Sequence, residues 1–181
     1  ANGILSQISR AFHYRDRHIF LNLYKSQVRV HLEYATPAWS PWQVGDCEML
    51  EKVQKRAIKM ISGLNGSYDE KLKVLNIEKL STRRFRADMI ETYKILNNIA
   101  KVDPDIWFTR AVPGRAQTRS TVVNPELNLV LPHKNTELGK NLFSVRSVRG
   151  WNSLPSDIKT SRNLSQFKRK LDKYVKKYSK L

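Results

Sequence analysis

From Ile4 to Leu96 apolar residues recur every three or four positions, and this period constrains the first half of the chain to helices that bury one face. Ile4, Leu5, Ile8, Ala11 and Phe12 predict a first helix, and Ile19, Phe20, Leu23, Tyr24, Val28 and Leu32 predict a second one beyond Asp16. Pro37 and Pro41 bracket Trp39, with Trp42 close behind. Because proline lacks a backbone donor, Thr36 to Gln43 is expected to be a tight aromatic connection packed between helices. Met49, Leu50, Val53, Ala57, Ile58 and Ile61 predict a helix capped by Asp46 and stopped by Gly63. Leu64 to Ser67 reads as a turn and Tyr68 to Leu75 as a short helix. Glu78 to Asn98 reads as a long helix with a stripe of Leu80, Phe85, Met89, Tyr93 and Leu96.

The pattern changes at Asp103. Pro104, Pro113, Gly114, Pro125, Pro132 and Gly139 cut the chain into short pieces. The β-branched content of Thr118 to Val123, Leu127 to Leu131 and Leu142 to Val148 predicts short strands. Asn163 or Ser165 then opens a closing helix whose apolar face is Leu164, Phe167, Leu171, Tyr174 and Val175. The expected architecture is therefore mainly α: a helical bundle over residues 1–102, then a smaller basic α+β region over 103–181 with short strands and a C-terminal helix.

Charge points to the partner. Thirty-three Lys and Arg against sixteen Asp and Glu give a net +17, and so large an excess repels itself unless a polyanion is the usual neighbour. RNA or DNA is the expected ligand, held by phosphate contact with stacking from interleaved aromatics. Residues 111–181 hold 15 basic and 4 acidic side chains, against 18 and 12 in residues 1–110, so phosphate is expected most at the C-terminal part. Lys52, Lys55, Arg56 and Lys59 form one basic strip on the helix after Asp46. Arg83, Arg84 and Arg86, three arginines in four residues, cannot share one helix face. Arg115, Arg119, Arg146, Arg149, Lys168 and Arg169 complete the set of candidate phosphate contacts. Internal pairing to Asp88, Glu91 or Asp157 competes for the arginines.

Autonomous chemistry has little support. Asp103 and Asp105 are a closely spaced carboxylate pair, but Pro104 between them reads as a helix start rather than a Mg²⁺ site. His13, His18, His31 and His133 show no metal-ligand spacing. Neither a Gly-rich phosphate loop nor a nucleophile elbow is present, so no catalytic residue, metal, cofactor or small-molecule substrate is expected. Cys47 stands alone, which precludes an intrachain disulfide and suits a reducing compartment, and Asp46 and Glu48 beside it weaken it as a nucleophile. No apolar run approaches the roughly 20 residues that span a bilayer. No membrane association is expected, and the location is expected to be intracellular, nuclear or cytoplasmic. A chain that opens on Ala1 rather than Met is expected to be part of a longer polypeptide.

Five segments, in order, carry a resemblance. They are LNLYKSQVRVHLEYATPAWS at 21–40, MLEKVQKRAIKMI at 49–61, YDEKLKVLNIEKLSTRRFRADMIETYKIL at 68–96, LFSVRSVRGWNSLPSDI at 142–158 and SQFKRKLDKY at 165–174. Together they resemble the region after the palm in reverse transcriptases of LINE-type (non-LTR) retrotransposons, the jockey-like and chicken-repeat-like groups. Arg29, Glu33, Tyr34 and Trp39 match the first block, Arg83, Arg84 and Asp88 the middle one, and Arg146, Trp151, Asn152, Leu154 and Pro155 the late one. Val30, Lys55 and Ala87 depart from frequent residues of the pattern. The resemblance implies a thumb-like helical domain that grips template and primer, followed by a C-terminal region. It implies a palm upstream in the same polyprotein, an RNA-directed DNA polymerase, as protein partner and bearer of the catalytic aspartates. Trp39, Trp151, Leu154 and Pro155 are expected to be structural, pinning turns to a core. The alternative expectation is a domesticated retrotransposon-derived protein that serves as a protein-protein interaction module.

Overall fold

In a computed structural model, which describes residues 1–12, 16–111 and 125–178, the chain is mainly helical and no strand occurs among the described residues. It divides into two compact units, Ala1–Arg84 and Phe85–Leu181, each with its own buried cluster.

In the first unit, helix α1 (Asn2–Ala11) buries Leu5 and Ile8. The Asp16 carboxylate accepts the amides of His18 and Ile19 and so caps α2 (Arg17–Leu23), satisfying donors that a helix start leaves orphaned. A π-turn over Tyr24–Val28 carries that helix into α3 (Arg29–Glu33). Helix α4 (Thr36–Trp39) follows a left-handed Ala35. Helix α5 (Val44–Lys59) begins earlier than the sequence suggested: Gln43 holds the cap position and Asp46 sits inside the first turn, where its charge still favours the helix dipole. A reciprocal capping box between Ser67 and Glu70 starts α6 (Tyr68–Leu75), and Asn76 in the left-handed region ends it.

The core of this unit encloses one polar cluster. Gln54 is fully buried, accepts a hydrogen bond from the Tyr24 hydroxyl at 2.6 Å, and donates to the Tyr68 oxygen at 2.9 Å and the Glu78 carbonyl at 3.0 Å. Glu51 accepts from the Tyr68 hydroxyl and, at 3.0 Å, from the Leu80 amide that opens α7 (Leu80–Leu96). A side chain 29 residues away therefore caps that helix. Burial pushes the Tyr24 and Tyr68 phenols well above their ordinary 10.0, and for Tyr68 the Glu51 carboxylate adds to the shift.

The second unit contains α8 (Pro104–Trp107), a 3₁₀ turn at Pro125–Leu127, α9 (Glu137–Lys140), α10 (Phe143–Ser153), α11 (Ser156–Lys159) and α12 (Leu164–Tyr178). Met89 and Tyr93 of α7, Val148 and Trp151 of α10, and Phe167, Leu171 and Val175 of α12 form its core. The Phe167 ring stacks on Tyr93 at 4.3 Å and on Trp151 at 6.0 Å between centroids. Gly150 permits a close approach inside this core, since a Cβ there would stand 2.7 Å from the Met89 methyl and 2.8 Å from the Phe85 ring.

Several expectations need correction. Leu142 to Val148 is the first half of α10 and not a strand, because Val145, Val148 and Trp151 point inward at helical spacing. Among the described residues Leu127 to Leu131 forms one antiparallel bridge, Arg110 to Leu129, and no strand. The Asn152 side-chain amide occupies both backbone groups of Leu129, accepting from its N–H at 2.9 Å and donating to its carbonyl at 2.8 Å. Thr118 to Val123 lies outside the described residues. Within Thr36 to Gln43 the packing is carried by the buried Thr36 of α4 and not by the aromatics: Trp39 and Trp42 are exposed, and the Trp39 indole N–H donates to the Tyr34 carbonyl. The division into compact units falls between residues 84 and 85, inside α7, with Met89 and Tyr93 in the core built with α10 and α12, whereas the change of composition lies at 100–112.

Candidate nucleic-acid interface

With Phe167, Leu171 and Val175 turned inward, helical geometry places Ser165, Lys168, Arg169, Asp172, Lys173 and Lys176 on the outer side of α12. These six and Arg86 of α7 line an open groove of about 560 Å³ in the second unit. At about 1.5 Å of rise per residue the stripe from Ser165 to Lys176 runs roughly 16 Å. Asn163 anchors its start by accepting the Gln166 amide at 2.8 Å.

The groove contains one fixed ion pair and a row of unpaired cations. Arg86 forms a fork with Asp172, Nε to Oδ1 at 2.5 Å and Nη2 to Oδ2 at 3.2 Å, so its charge is largely matched. Lys168, Arg169, Lys173 and Lys176 have no carboxylate partner among the described residues. Lys170, one turn aside, is drawn off the stripe by the Asp157 carbonyl and carboxylate. Four like charges along one helix face suit a chain of phosphates better than a single anion, and no aromatic side chain lines the groove to stack on a base.

A second basic surface lies in the first unit. Lys52, Lys55, Arg56 and Lys59, at spacings of three and four, are all exposed on α5, and none is ion-paired among the described residues. Lys55 leans over the Tyr68 ring, 5.2 Å from its centroid.

The arginines have different surroundings. Arg83 grips Glu33 through two bonds, Nη2 to Oε2 at 2.8 Å, and Arg29 approaches the same carboxylate at 3.7 Å. Arg146 binds Asp88 with Nε to Oδ2 at 2.9 Å and Nη2 to Oδ1 at 3.1 Å, donates to the Asn141 carbonyl, and covers the Phe143 ring. Arg84 is only 5% exposed, and its Nη1 meets no hydrogen-bond partner. Arg149 is exposed and unpaired. Arg115 and Arg119 lie outside the described residues. Of the expected structural residues, Trp151 and Leu154 are buried, the Trp151 indole donating to the Leu127 carbonyl at 3.0 Å. Pro155 is exposed at the cap of α11, and Trp39 is exposed as described above.

Lys173, Lys176 and Asp172 join the site without having been among the candidate contacts. Their spacing from Lys168 and Arg169 was the signal, since residues 165, 169, 172 and 176 share a face of any straight helix. Nothing in the sequence indicated that Arg86 would meet Asp172, 86 positions away. Among the described residues no group of three or more His, Cys, Asp or Glu is placed to hold a metal ion, and no helix is long and apolar enough to cross a membrane. Comparison with protein-family models, with curated proteins and with solved structures returned no match.

Proposed function

We propose that this chain is a non-catalytic nucleic-acid grip, the thumb-like and C-terminal region of a LINE-type reverse transcriptase. The observation that carries the binding role is the row of four unpaired cations, Lys168, Arg169, Lys173 and Lys176, along the α12 groove. The family assignment rests on the five ordered segments that resemble the region after the palm. In this reading RNA or DNA is the ligand, the upstream palm of the same polyprotein is the protein partner and carries the catalytic aspartates, and the site of action is nuclear or cytoplasmic.

Four phosphate contacts predict a salt slope of about −3.6 in log affinity against log salt, or roughly a hundredfold loss between about 50 and 200 mM. Binding should depend weakly on base sequence, because the contacts go to the backbone. The test is titration of a labelled RNA–DNA hybrid, a DNA duplex and single strands across that salt range. A flat response, or no binding at physiological salt, would overturn the proposal.

A further inference from the structure

Lys and Arg make up 33 of the 181 residues, about one in every five or six, yet none occurs in the 22 residues between Arg29 and Lys52. That stretch instead carries Glu33, Asp46, Glu48 and Glu51. Glu33 and Glu51 are engaged inside the first unit, by Arg83 and by Tyr68 with the Leu80 amide. Asp46 and Glu48 are exposed at the start of α5 and have no ion-pair partner among the described residues.

The same stretch displays large apolar side chains. Tyr34 is 80% exposed, Trp39 42%, Trp42 43% and Val44 73%. The backbone that carries them is tied at two points: the Trp39 indole N–H donates to the Tyr34 carbonyl, and the Cys47 thiol donates to the Pro41 carbonyl at 3.3 Å, fastening the aromatic segment to the first turn of α5. Ala35, between Tyr34 and α4, adopts a left-handed φ of 50°, which is costly for a residue with a Cβ and persists where surrounding structure enforces it. Fixed, exposed Trp and Tyr are the side chains that most often anchor protein interfaces.

We propose that the Tyr34 to Val44 segment docks a protein surface that is apolar at its centre and carries Lys or Arg at its rim. Charge decides the class of partner. A polyphosphate strand laid over these aromatics would meet Asp46 and Glu48 with no cation of the segment to offset them, whereas a basic rim complements both carboxylates. A second copy docking through this same patch would set the two pairs of carboxylates against each other. The patch does not depend on the nucleic-acid role of α12.

The test uses the full chain and two amphipathic helical peptides with the same leucine face, one rimmed with Lys and the other with Glu. The indole N–H resonances of Trp39 and Trp42, assigned with Trp39→Phe and Trp42→Phe, report occupancy. The Lys-rimmed peptide should shift both signals and bind about tenfold more tightly than the Glu-rimmed one, the order that a rim charge pair or two provides. Asp46→Lys with Glu48→Lys, both at exposed positions, should reverse that preference without loss of folding. Equal affinity for the two peptides, or shifts confined to Trp107 and Trp151, would overturn the proposal. Movement of the Trp39 and Trp42 signals by oligothymidylate would replace it with a base-stacking platform, and their movement on simple concentration would replace it with self-association.

Discussion

Helix α7 and helix α12 both read as basic in sequence, and the fold treats their charges in opposite ways. Arg83 and Arg86 of α7 are drawn into forks with Glu33 and Asp172, Arg84 is buried, and Arg146 of α10 is locked to Asp88. The α12 cations Lys168, Arg169, Lys173 and Lys176 keep their charges at the surface. A planar guanidinium matches a carboxylate through two parallel bonds and is weakly hydrated, so it tolerates partial burial; a lysine ammonium is strongly hydrated and stays in water. A cluster of arginines thus says less about available positive charge than a lysine stripe does.

The largest effect should come from breaking the best-shielded fork. Asp88→Ala leaves Arg146 without its main counter-charge in a half-buried setting, and a loss of about 3 kcal/mol in unfolding free energy is expected from urea titration. A loss under about 1 kcal/mol would mean that the Asp88–Arg146 fork contributes no more than a surface ion pair does. On the other side of the comparison, Lys168→Ala, Lys173→Ala and Lys176→Ala together should reduce nucleic-acid affinity roughly a hundredfold at low salt and flatten the salt slope by about 3. Stability should hardly change, as checked by thermal melting, because none of the three is paired.

Asp172→Asn tests the one place where the two kinds of charge meet. It removes a carboxylate from the groove and frees Arg86, so binding should tighten several-fold and the salt slope steepen by about 1. Weaker binding would show instead that the fork positions α12. The smallest effect concerns polarity that the interior keeps neutral. Burial raises the Tyr24, Tyr68 and Tyr93 phenols above their ordinary 10.0. A raised folded value means that their stabilisation is intact below pH 10 and is lost as pH climbs beyond it, since only the unfolded chain releases those protons there. Phenolate absorbance should accordingly rise for these three only as the protein unfolds, and smooth titration in the folded state would contradict their burial.

Much of the helical architecture was legible because its stripes are long. The Tyr68–Leu75 helix was read with the bounds the structure gives, and of the two openings expected for α12, Asn163 or Ser165, the structure uses Asn163, with a lysine face opposite Phe167, Leu171 and Val175. Strand expectations at 127–131 and 142–148 failed for a local reason. Val145 and Val148 carry β-branched side chains, yet their spacing to Trp151 is helical, and packing on Phe167 outweighs a propensity worth about 1 kcal/mol at most.

The sequence by itself determined the helical period of the first half, the excess of positive charge, its absence between Arg29 and Lys52, and the lysine face of α12, because each is a matter of spacing along one chain. Tertiary structure alone decided which charges remain available. Glu33 meets Arg83 across 50 residues, Asp88 meets Arg146 across 58 and Asp172 meets Arg86 across 86. Such pairs form only when packing of the apolar faces brings distant segments within about 3 Å, a distance that no local pattern encodes.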